Sequence, residues 1–545
     1  MELHPSANQT PPLQDYNVYT SDNALLASLE RNAPDVESRE LLEVGRLAGK
    51  SEMIQLGFDA NQYPPELHTH DRYGERIDEV RFHPSWHVLM GVATKHGLHA
   101  APWVDRKPRA HLRRAVKFYV WSQVEPGHLC PISMTYAAVA ALQHAPSLAS
   151  QWVDKLGDCA YDPRLLPIAE KSSALCGMGM TERQGGSDVR ANQTRAHRIS
   201  PDGEYVLDGH KWFCSAPMSD AFLVLAQADR GLSCFLVPRI LADGTRNPFA
   251  IQRLKDKLGN RSNASSEVEF HATHGWIVGE EGRGIQTIVD MVNGTRLDCA
   301  IGSAALLRAA LAQAIHHASF RRTFGAALID RSLMQNVLAD LALESEAATA
   351  LFVRLARAVD DAPHDPRAAA LKRIGTAIAK YYVCKRAPAF AAEALECLGG
   401  NGYVEESVMP RLYREAPLNS IWEGAGNINA LDVLRILQKQ PEAIEALFLE
   451  LEPALGDARI AAEARALRND LAGEDLEWQA RALVERMALL WQAALLVQQS
   501  PYYVGDLFIE SRLSQRSGRT LGTLPSKTAL RAIVDRAAPL AVEAV

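Results

Sequence analysis

The feature that most constrains the fold is the order in which the hydrophobic period changes along the chain. Between about residues 36 and 175, apolar residues recur three and four apart, which is typical of amphipathic helices. From about 176 to 280 the period falls to two, and Asp-Gly pairs separate the short runs. The helical period returns at Gly284. This order predicts an α+β fold, mostly α, and disfavours the alternating β-α-β order of a dinucleotide-binding sheet.

In the second helical part the helical period holds to Ala318, and later helices are predicted at about 333–359, 366–397 and 428–439, whose lengths suit an antiparallel bundle. Pro441 marks a junction, and the residues after it are again mostly helical. The sequence therefore predicts five segments: an irregular arm (1–35), an N-terminal helical domain (36–175), an antiparallel β domain (176–280), a helical bundle (281–440) and an additional helical domain (441–545).

The composition disfavours several classes of protein. The net charge of −7 argues against a generally basic nucleic-acid binder, and no run of about 18 apolar residues predicts a membrane helix. The first residues lack the basic-then-apolar order of a secretory signal. The eight cysteines form no Cys-x-x-Cys pair, which disfavours a disulfide framework or a thiolate zinc site. We therefore expect a cytoplasmic protein without a metal centre or membrane attachment.

A glycine-rich loop, Gly177–Asp188, stands where the period changes from helix to strand. Its small residues let backbone N–H groups approach a ligand, and Thr181 and Ser187 add hydroxyl donors, so the loop suits a polar heteroaromatic ring or a phosphate. The aromatic pair Trp212 and Phe213 follows at the start of a strand and could flank a flat ring. A surface turn and two core aromatics are the alternative interpretations.

Two more glycine turns lie in the second helical part. Arg321 stands beside the turn at Phe324-Gly325, where an arginine can clasp a pyrophosphate. Three glycines among the four residues Gly399–Gly402 expose backbone amides. For Arg321 the alternative is a helix C-cap whose basic residues match the helix dipole.

The stretch Asn419–Asn427 carries a carboxylate, Glu423, between an apolar pair and a glycine-broken run. Burial against aromatic surface raises the pKa of a carboxyl group, and a glutamate in such a place can take a weakly acidic proton near neutral pH. By itself the stretch is more simply explained as a helix C-cap with a solvated acid. The other motifs favour the general base.

With these motifs in this order, the chain resembles the acyl-CoA dehydrogenase flavoprotein family over about residues 36–440. Within that family it is more closely similar to the AidB branch, the flavoproteins of the bacterial alkylation response, over nearly the whole chain. The branch resemblance rests on Gly177–Glu182, Leu254–Ala264 and Asn419–Gly424. The family motifs are Met180-Thr-Glu182 with Gly185-Gly-Ser-Asp188, Lys211-Trp-Phe213, Arg321-x-x-Phe-Gly325, Gly399-Gly-Asn-Gly402 and Trp422-Glu-Gly424.

The resemblance implies the acyl-CoA dehydrogenase fold with an extra C-terminal helical domain, and FAD held non-covalently between the β domain and the bundle of a homotetramer. The flavin end would meet Met180, Thr181, Ser187, Trp212 and Cys214. The adenosine diphosphate would be held from a neighbouring subunit by Arg321, Phe324, Gln335, Gly399, Gly400 and Gly402. Further cofactor-binding positions implied are Gly186, Phe213, Trp422, Gly424, Ala425 and Asn427.

The resemblance also implies the chemistry. Glu423 would take the α proton of an acyl thioester while the β hydride goes to the flavin, and Arg296 would contact the CoA part. Cys214 and Ala425 stand where the family usually has hydroxyl residues, and Glu396 replaces a common Gln. Two hydroxyl contacts are therefore missing, each worth about 0.5–1.5 kcal/mol. FAD is still expected to bind, because the glycine turns and Arg321 remain.

A basic stretch near the end of the chain is a candidate DNA-binding surface. Between Arg512 and Arg536 there are six basic residues and one acid, which is a net charge of +5 in a protein of −7. The AidB resemblance implies sequence-independent binding of double-stranded DNA, and we predict phosphate contacts from Arg512, Arg516 and Arg519. The alternative is a helix pair whose charges meet acidic helices.

Three functions therefore compete. The first is an FAD-dependent acyl-CoA dehydrogenase-like oxidoreductase of the AidB type, with a DNA-binding role in the alkylation response. The second is an ordinary FAD-dependent dehydrogenase of a short or branched acyl-CoA without a DNA role. The third is an oxygen-using flavin oxidase of a small nitrogen compound.

Overall fold

The computed structural model describes residues 8–105, 107–514 and 516–540. Residues 1–7 of the predicted arm and 541–545 of the predicted C-terminal domain lie outside these ranges. The helices are α1 (Asn23–Asn32), α2 (Arg39–Ala48), α3 (Ser51–Gln62), α4 (Pro84–Lys95), α5 (Ala101–Val104), α6 (Ala110–Ser122), α7 (Leu129–Leu142), α8 (Pro146–Gly157), α9 (Gly284–Phe320), α10 (Ser332–Asp361), α11 (Pro366–Glu396), α12 (Met409–Glu415), α13 (Gly426–Lys439), α14 (Pro441–Leu451), α15 (Ala458–Leu471), α16 (Ala480–Gln499), α17 (Tyr502–Arg512) and α18 (Leu530–Ala537).

The strands are concentrated in the middle of the chain. They are β1 (Glu66–His70), β2 (Arg76–Arg81), β3 (Cys176–Gly179), β4 (Arg195–Arg198), β5 (Glu204–Ser215), β6 (Ala221–Ala228), β7 (Gly231–Pro238), β8 (Phe249–Leu254), β9 (Ser265–Val278), β10 (Arg322–Thr323) and β11 (Ala326–Ala327). The predicted order of helices, strands and helices is therefore present.

The chain divides into two compact units. The first contains the residues up to Ser51, His111–Val124 and the residues from Cys299 onwards, and the second contains Glu52–Ala110 and Glu125–Asp298. In the first unit, α10 packs along α11, and α13, α14 and α16 pack on α11. Ion pairs bind these helices together, since Arg386 on α11 reaches Glu344 on α10 at 3.1 Å.

The second unit holds the main sheet, whose strand order is β3-β6-β4-β5-β9-β7. Strand β7 pairs with both β9 and β6, so the sheet closes on itself, and β8 pairs with β9. Its interior is filled by alternating side chains such as Phe222, Phe235 and Phe270, which are fully or almost fully buried. This packing gives the glycine loop after β3 a rigid support.

Three details differ from the sequence predictions. The predicted irregular arm contains helix α1, whose Asp22 side chain caps the first turn by accepting from the Leu25 N–H. The predicted N-terminal helical domain is interrupted by the β1–β2 hairpin. The predicted antiparallel sheet is mixed, because β3 and β4 each pair with β6 in parallel. The residues of β3 and β4 carry no local signal of strand direction, because the direction depends on which strand each one pairs with.

Helix α9 contains a stretch that is long and apolar enough to cross a membrane by length and composition, with a mean hydropathy of 1.3. In the structure 83% of this stretch is buried within the protein. That burial is what the core helix of a globular protein shows.

The basic stretch from Arg512 to Arg536 does not form one continuous exposed surface. Arg512 is 11% exposed and ion-paired with Asp340 and Glu344 on α10. Arg536 pairs with Glu346 of the same helix at 3.0 Å. Arg531 pairs with Asp330 at 2.7 Å. The predicted DNA contact of Arg512 is therefore wrong, because carboxylates of this unit already neutralise its guanidinium.

Candidate functional site

In the second unit, a buried ion pair joins the glycine loop to strand β5. Lys211 Nζ lies 2.7 Å from the Glu182 carboxylate, and both side chains are 0% exposed. Lys211 also donates to the Leu225 carbonyl at 2.7 Å. Next to the pair, the backbone N–H of Trp212 donates to the backbone carbonyl of Thr181 at 2.8 Å. The pair thus places two separate motifs side by side, a role that the sequence analysis did not assign to either residue.

The Glu182 carboxylate is held by several donors besides the lysine. It accepts from the Gln193 N–H at 2.6 Å and from the Thr194 hydroxyl at 2.6 Å. Burial raises the pKa of Glu182, but the charge of Lys211 and these hydrogen bonds outweigh burial and lower the pKa from 4.5 to about 2. Burial lowers the pKa of Lys211 to about 8. Both partners are therefore charged near neutral pH.

A β-bulge decides which side chains of β5 face outward. The register shifts between Lys211, which faces Val268, and Cys214, which faces Ser266. Because of the extra residue, Lys211 and Cys214 both point inward, while Trp212 is half-buried and Phe213 is 52% exposed. Such bulges often re-aim side chains beside binding sites.

The bulge buries the side chain of Cys214. Its side chain is 1% exposed and belongs to the apolar core of the sheet. Burial raises the pKa of the thiol to about 12, so the group is neutral. The thiol of Cys214 therefore packs within the sheet, and its predicted contact with the flavin stays a prediction.

The remaining predicted flavin contacts of this unit lie close to one another. A Cβ built on Gly186 would stand 2.3 Å from the Thr181 hydroxyl, so Gly186 and Thr181 are neighbours and a larger residue at 186 would displace the Thr181 side chain. Thr181 and Met180 are half-buried, whereas Gly186 and Ser187 are exposed. Two cations flank the Trp212 ring, with Lys255 Nζ at 3.9 Å and Arg183 at 5.3 Å from its centroid. This surface suits a flat polar ring.

In the first unit, the turn after α9 exposes an aromatic side chain beside a cation. Phe324 lies at the tip of the β10–β11 hairpin with a φ of 50° and is 99% exposed. Arg331 holds the hairpin by donating to the Thr323 and Phe324 carbonyls at 2.6 and 2.5 Å. Gln335 follows in the first turn of α10 and donates to the Ile329 carbonyl at 3.0 Å.

Arg321 has no carboxylate partner among the residues that the structure describes. Its guanidinium donates to the Asn8 carbonyl at 2.5 Å. The Asn8 side chain in turn donates to the Arg322 carbonyl at 2.8 Å and accepts from the Arg322 N–H at 2.7 Å. An arginine that is oriented in this way but not neutralised is suited to an anion. The contact of Asn8 had no signal in the sequence.

The glycine turn after α11 leaves backbone open to a ligand. Gly399 has a φ of 59°, and a Cβ built on Gly399 or Gly400 would meet nothing within 4 Å. Gly402 differs, because its Cβ would stand 2.4 Å from the Leu395 carbonyl oxygen. Gly399 and Gly400 therefore suit close approach of a ligand, and Gly402 is required by packing.

Glu423 lies in a strained turn that precedes α13. Its φ is 59° and that of Gly424 is 97°. A left-handed conformation at a residue other than glycine costs about 1–3 kcal/mol, and such strain is concentrated at functional sites. The Trp422 ring beside it is fixed by its N–H, which donates to the Asn419 side chain at 3.0 Å. Glu423 is half-buried, while Ala425 and Asn427 are exposed.

Two further predictions concern other ligands. Arg296, the predicted CoA contact, is 7% exposed, and this assignment stays a prediction. In the part of the chain that the structure describes, no group of three or more His, Cys, Asp or Glu side chains is placed to hold a metal ion.

Three family models match successive parts of the chain. The model of the AidB N-terminal domain (adaptive response protein) matches residues 8–163. The middle-domain and C-terminal-domain models of acyl-CoA dehydrogenases match residues 177–273 and 282–438. The AidB protein of Escherichia coli (strain K12) is 46% identical over 95% of this chain and 96% of its own length.

The chain belongs to the acyl-CoA dehydrogenase family. Acyl-CoA dehydrogenase family member 11 of Caenorhabditis elegans is 30% identical over 83% of this chain and 75% of its own length. The crystal structure of C. elegans ACDH-11 in complex with C11-CoA superimposes with a TM-score of 0.84 and 26% identity, covering 98% of each chain. An acyl-CoA dehydrogenase of Bacillus anthracis complexed with FAD has the same fold, with a TM-score of 0.66, 17% identity and coverage of 93% and 89%.

These comparisons confirm the predicted fold, the AidB-like character of the chain and FAD as the cofactor of this dehydrogenase-like enzyme. The structure offers three features that fit FAD. Among the described residues Arg321 has no carboxylate partner, the backbone at Gly399 and Gly400 is open, and the backbone of Trp212 lies beside the Thr181 carbonyl. The first two suit a diphosphate and the third suits a flat ring.

We predict that Lys211→Met destabilises the protein by about 3–5 kcal/mol, because it leaves Glu182 as a buried charge without its partner. Lys211→Met combined with Glu182→Leu should cost less than the sum of the two single changes. Urea unfolding curves measure both.

The stability of the protein should also depend on pH through Glu182. The pKa of Glu182 is lowered on folding, so its contribution to the free energy of unfolding is complete above pH 4.5 and disappears as the pH falls toward 2. A Glu182→Gln effect of equal size at pH 7 and pH 3 would contradict this.

We expect Arg321→Ala to weaken FAD binding by at least about tenfold, because one charge-assisted contact to a phosphate is lost. Arg322→Ala is the matched control, since the exposed Arg322 side chain contacts only the Gly325 carbonyl, at 3.3 Å, among the described residues. Titration of apoprotein with FAD, followed by flavin fluorescence, gives both dissociation constants. Equal constants for the two variants would exclude Arg321 from the diphosphate site.

Proposed function

We propose that this protein is an FAD-dependent oxidoreductase that removes the α proton of an acyl-CoA thioester with Glu423. The observation that carries the proposal is the strained, half-buried position of Glu423 in the turn before α13. A left-handed backbone at a glutamate costs free energy, and it fixes the direction in which the side chain leaves the chain, which a base that must be held at one angle requires. The C. elegans structure with C11-CoA supports an acyl-CoA substrate.

In this proposal each residue has a defined task. The Glu423 carboxylate accepts the α proton, and its own backbone N–H is available to polarise the thioester carbonyl. Trp422, fixed by Asn419, limits the room beside the base. Arg321 and the open backbone at Gly399 and Gly400 would hold the diphosphate of FAD, and Trp212 and Thr181 would hold its ring. The chemistry that FAD supplies when bound is acceptance of a hydride.

We predict that Glu423→Gln retains FAD but abolishes reduction of the flavin by any acyl-CoA, because the amide keeps the shape and removes the base. Anaerobic mixing with a series of acyl-CoAs, followed by the flavin absorbance, measures this. Glu442→Gln is the control, since Glu442 is an exposed glutamate in the first turn of α14. A rate within about tenfold of the unmodified protein would show that another group is the base.

We also propose a homotetramer. Its support is the exposure of large apolar side chains in the first unit, with Phe324 at 99%, Leu333 at 85% and Tyr403 at 80%. Exposed apolar residues in one part of a protein often mark an interface.

Light scattering should give a mass about four times the 59.8 kDa of the chain. The double change Phe324→Glu and Leu333→Glu should lower that mass. A monomer that binds FAD fully would contradict the proposal.

The finer AidB-type role, binding of double-stranded DNA in the alkylation response, is a second proposal. It rests on the kinship with AidB and on three exposed cations that follow α17, namely Arg516, Arg519 and Lys527. Arg516 pairs with Glu510 at the surface, a contact that contributes little and is easily exchanged for a phosphate. The ordinary dehydrogenase without a DNA role is the alternative.

We also propose a cytoplasmic location, because all eight cysteines are free thiols.

We expect the triple change of Arg516, Arg519 and Lys527 to Glu to remove DNA binding and to leave the flavin spectrum unchanged. Phosphate contacts are independent of sequence, so binding should weaken steeply with salt. Fluorescence anisotropy on a random-sequence duplex at two salt concentrations is the measurement. Unchanged affinity would exclude this surface and direct attention to the basic run Arg253–Arg261 of the second unit.

A further inference from the structure

Helix α11 carries a buried lysine that differs from the other fully buried lysines of the described chain. Lys380 is 1% exposed, and its ammonium donates to the Gly424 carbonyl at 3.1 Å. No carboxylate of the described residues lies within ion-pair distance of it. Lys171 and Lys211 are equally buried, but each reaches a carboxylate, Asp220 at 3.0 Å and Glu182 at 2.7 Å. Burial of a cation without such a partner is costly, so the position of Lys380 requires a reason.

A second buried group converges on the same carbonyl. Asn429 is 0% exposed, and its side-chain amide donates to the Gly424 carbonyl at 2.5 Å and to the Ala425 carbonyl at 3.2 Å. Its own side-chain oxygen has no hydrogen-bond partner among the described residues. Both residues thus accept an electrostatic cost to reach one backbone atom.

The electrostatics of α13 make the placement of Lys380 more unusual. This helix begins at Gly426, two residues after the carbonyl that Lys380 contacts. The N-terminus of a helix carries a partial positive charge, which disfavours a nearby cation. The local helix therefore does not explain why a lysine stands there.

The backbone conformation of the turn provides the reason. Glu423 and Gly424 are consecutive residues with positive φ, at 59° and 97°. This pair of angles sets the direction of the Gly424 carbonyl. If Glu423 relaxed to a negative φ, the carbonyl would turn away from both donors, so the two hydrogen bonds oppose the relaxation that strain favours.

We propose that Lys380 and Asn429 form a clamp on the Gly424 carbonyl that holds Glu423 in its left-handed conformation, and that they are thereby positioning residues for the base. The clamp itself follows from the geometry of the turn. Its role in proton removal rests on the proposed function of Glu423. The two parts therefore need separate measurements.

The clamp is tested by a double-mutant cycle on melting temperature that needs no substrate. Glu423→Gly should raise the melting temperature by about 1 °C or more, because glycine has no penalty at positive φ. In a Lys380→Met background the turn can relax, and the gain from Glu423→Gly should fall to less than half. Ala529→Gly is the matched control, since Ala529 also has a positive φ, of 65°, and makes no contact with the clamp among the described hydrogen bonds. Its effect should be the same in both backgrounds.

Equal gains from Glu423→Gly in the two backgrounds would overturn the clamp. If Lys380→Met does not fold, the same cycle is made with Asn429→Ala, which removes the other donor, and the same outcome decides.

The positioning role is tested by kinetics of the loaded enzyme. Lys380→Met should lower kcat for acyl-CoA oxidation by at least about tenfold while KM stays within about twofold, because the base is misplaced and the binding surface is not. An unchanged kcat in a variant that shows the loss of coupling would overturn the positioning role and keep the clamp. Absence of any turnover in the unmodified protein would refute the proposed function, and the melting-temperature cycle would still decide the clamp.

Discussion

The buried ion pair between Glu182 and Lys211 is the interaction on which the binding surface of the second unit depends. Two charges at 0% exposure are stable only when they are paired and hydrogen-bonded, and here the carboxylate accepts from one lysine and from several donors of the loop. Because the pair must form, the glycine loop and strand β5 are held in one register. The exposed side of that register carries Thr181 and Trp212. A rigid surface of this kind is what binding of a flat cofactor requires.

In the first unit the informative groups are those that the protein leaves partly unsatisfied. Within the described ranges Arg321 contacts a carbonyl and no carboxylate, the backbone at Gly399 and Gly400 is open, and Glu423 keeps an unfavourable backbone conformation. Of these, the left-handed conformation of Glu423 lowers the stability of the chain by itself. Strained residues are concentrated at functional sites, and an arginine that no carboxylate of the described residues neutralises is suited to an anionic ligand.

The C-terminal basic stretch shows how a charge count can mislead. Its net charge of +5 is real, but Arg512, Arg531 and Arg536 face Asp330, Asp340, Glu344 and Glu346. The alternative interpretation, that these charges meet acidic helices, is therefore correct for half of the stretch. The carboxylates lie about 170–200 positions earlier in the sequence, so no local pattern relates them to the arginines. Only the exposed remainder is available to a nucleic acid.

The sequence by itself determined the fold class, the approximate bounds of the long helices and the motifs of the family, because hydrophobic period and glycine placement are local properties. The helices predicted at 333–359, 366–397 and 428–439 are found at Ser332–Asp361, Pro366–Glu396 and Gly426–Lys439. Only the tertiary structure decided the rest. The bulge that turns Cys214 inward depends on pairing with β9, the parallel pairing of β3 depends on β6, and the hold of Asn8 on Arg322 joins residues 314 positions apart. The clamp on Gly424 likewise requires α11 and α13 to pack, and packing partners cannot be read from the residues on either side of a motif.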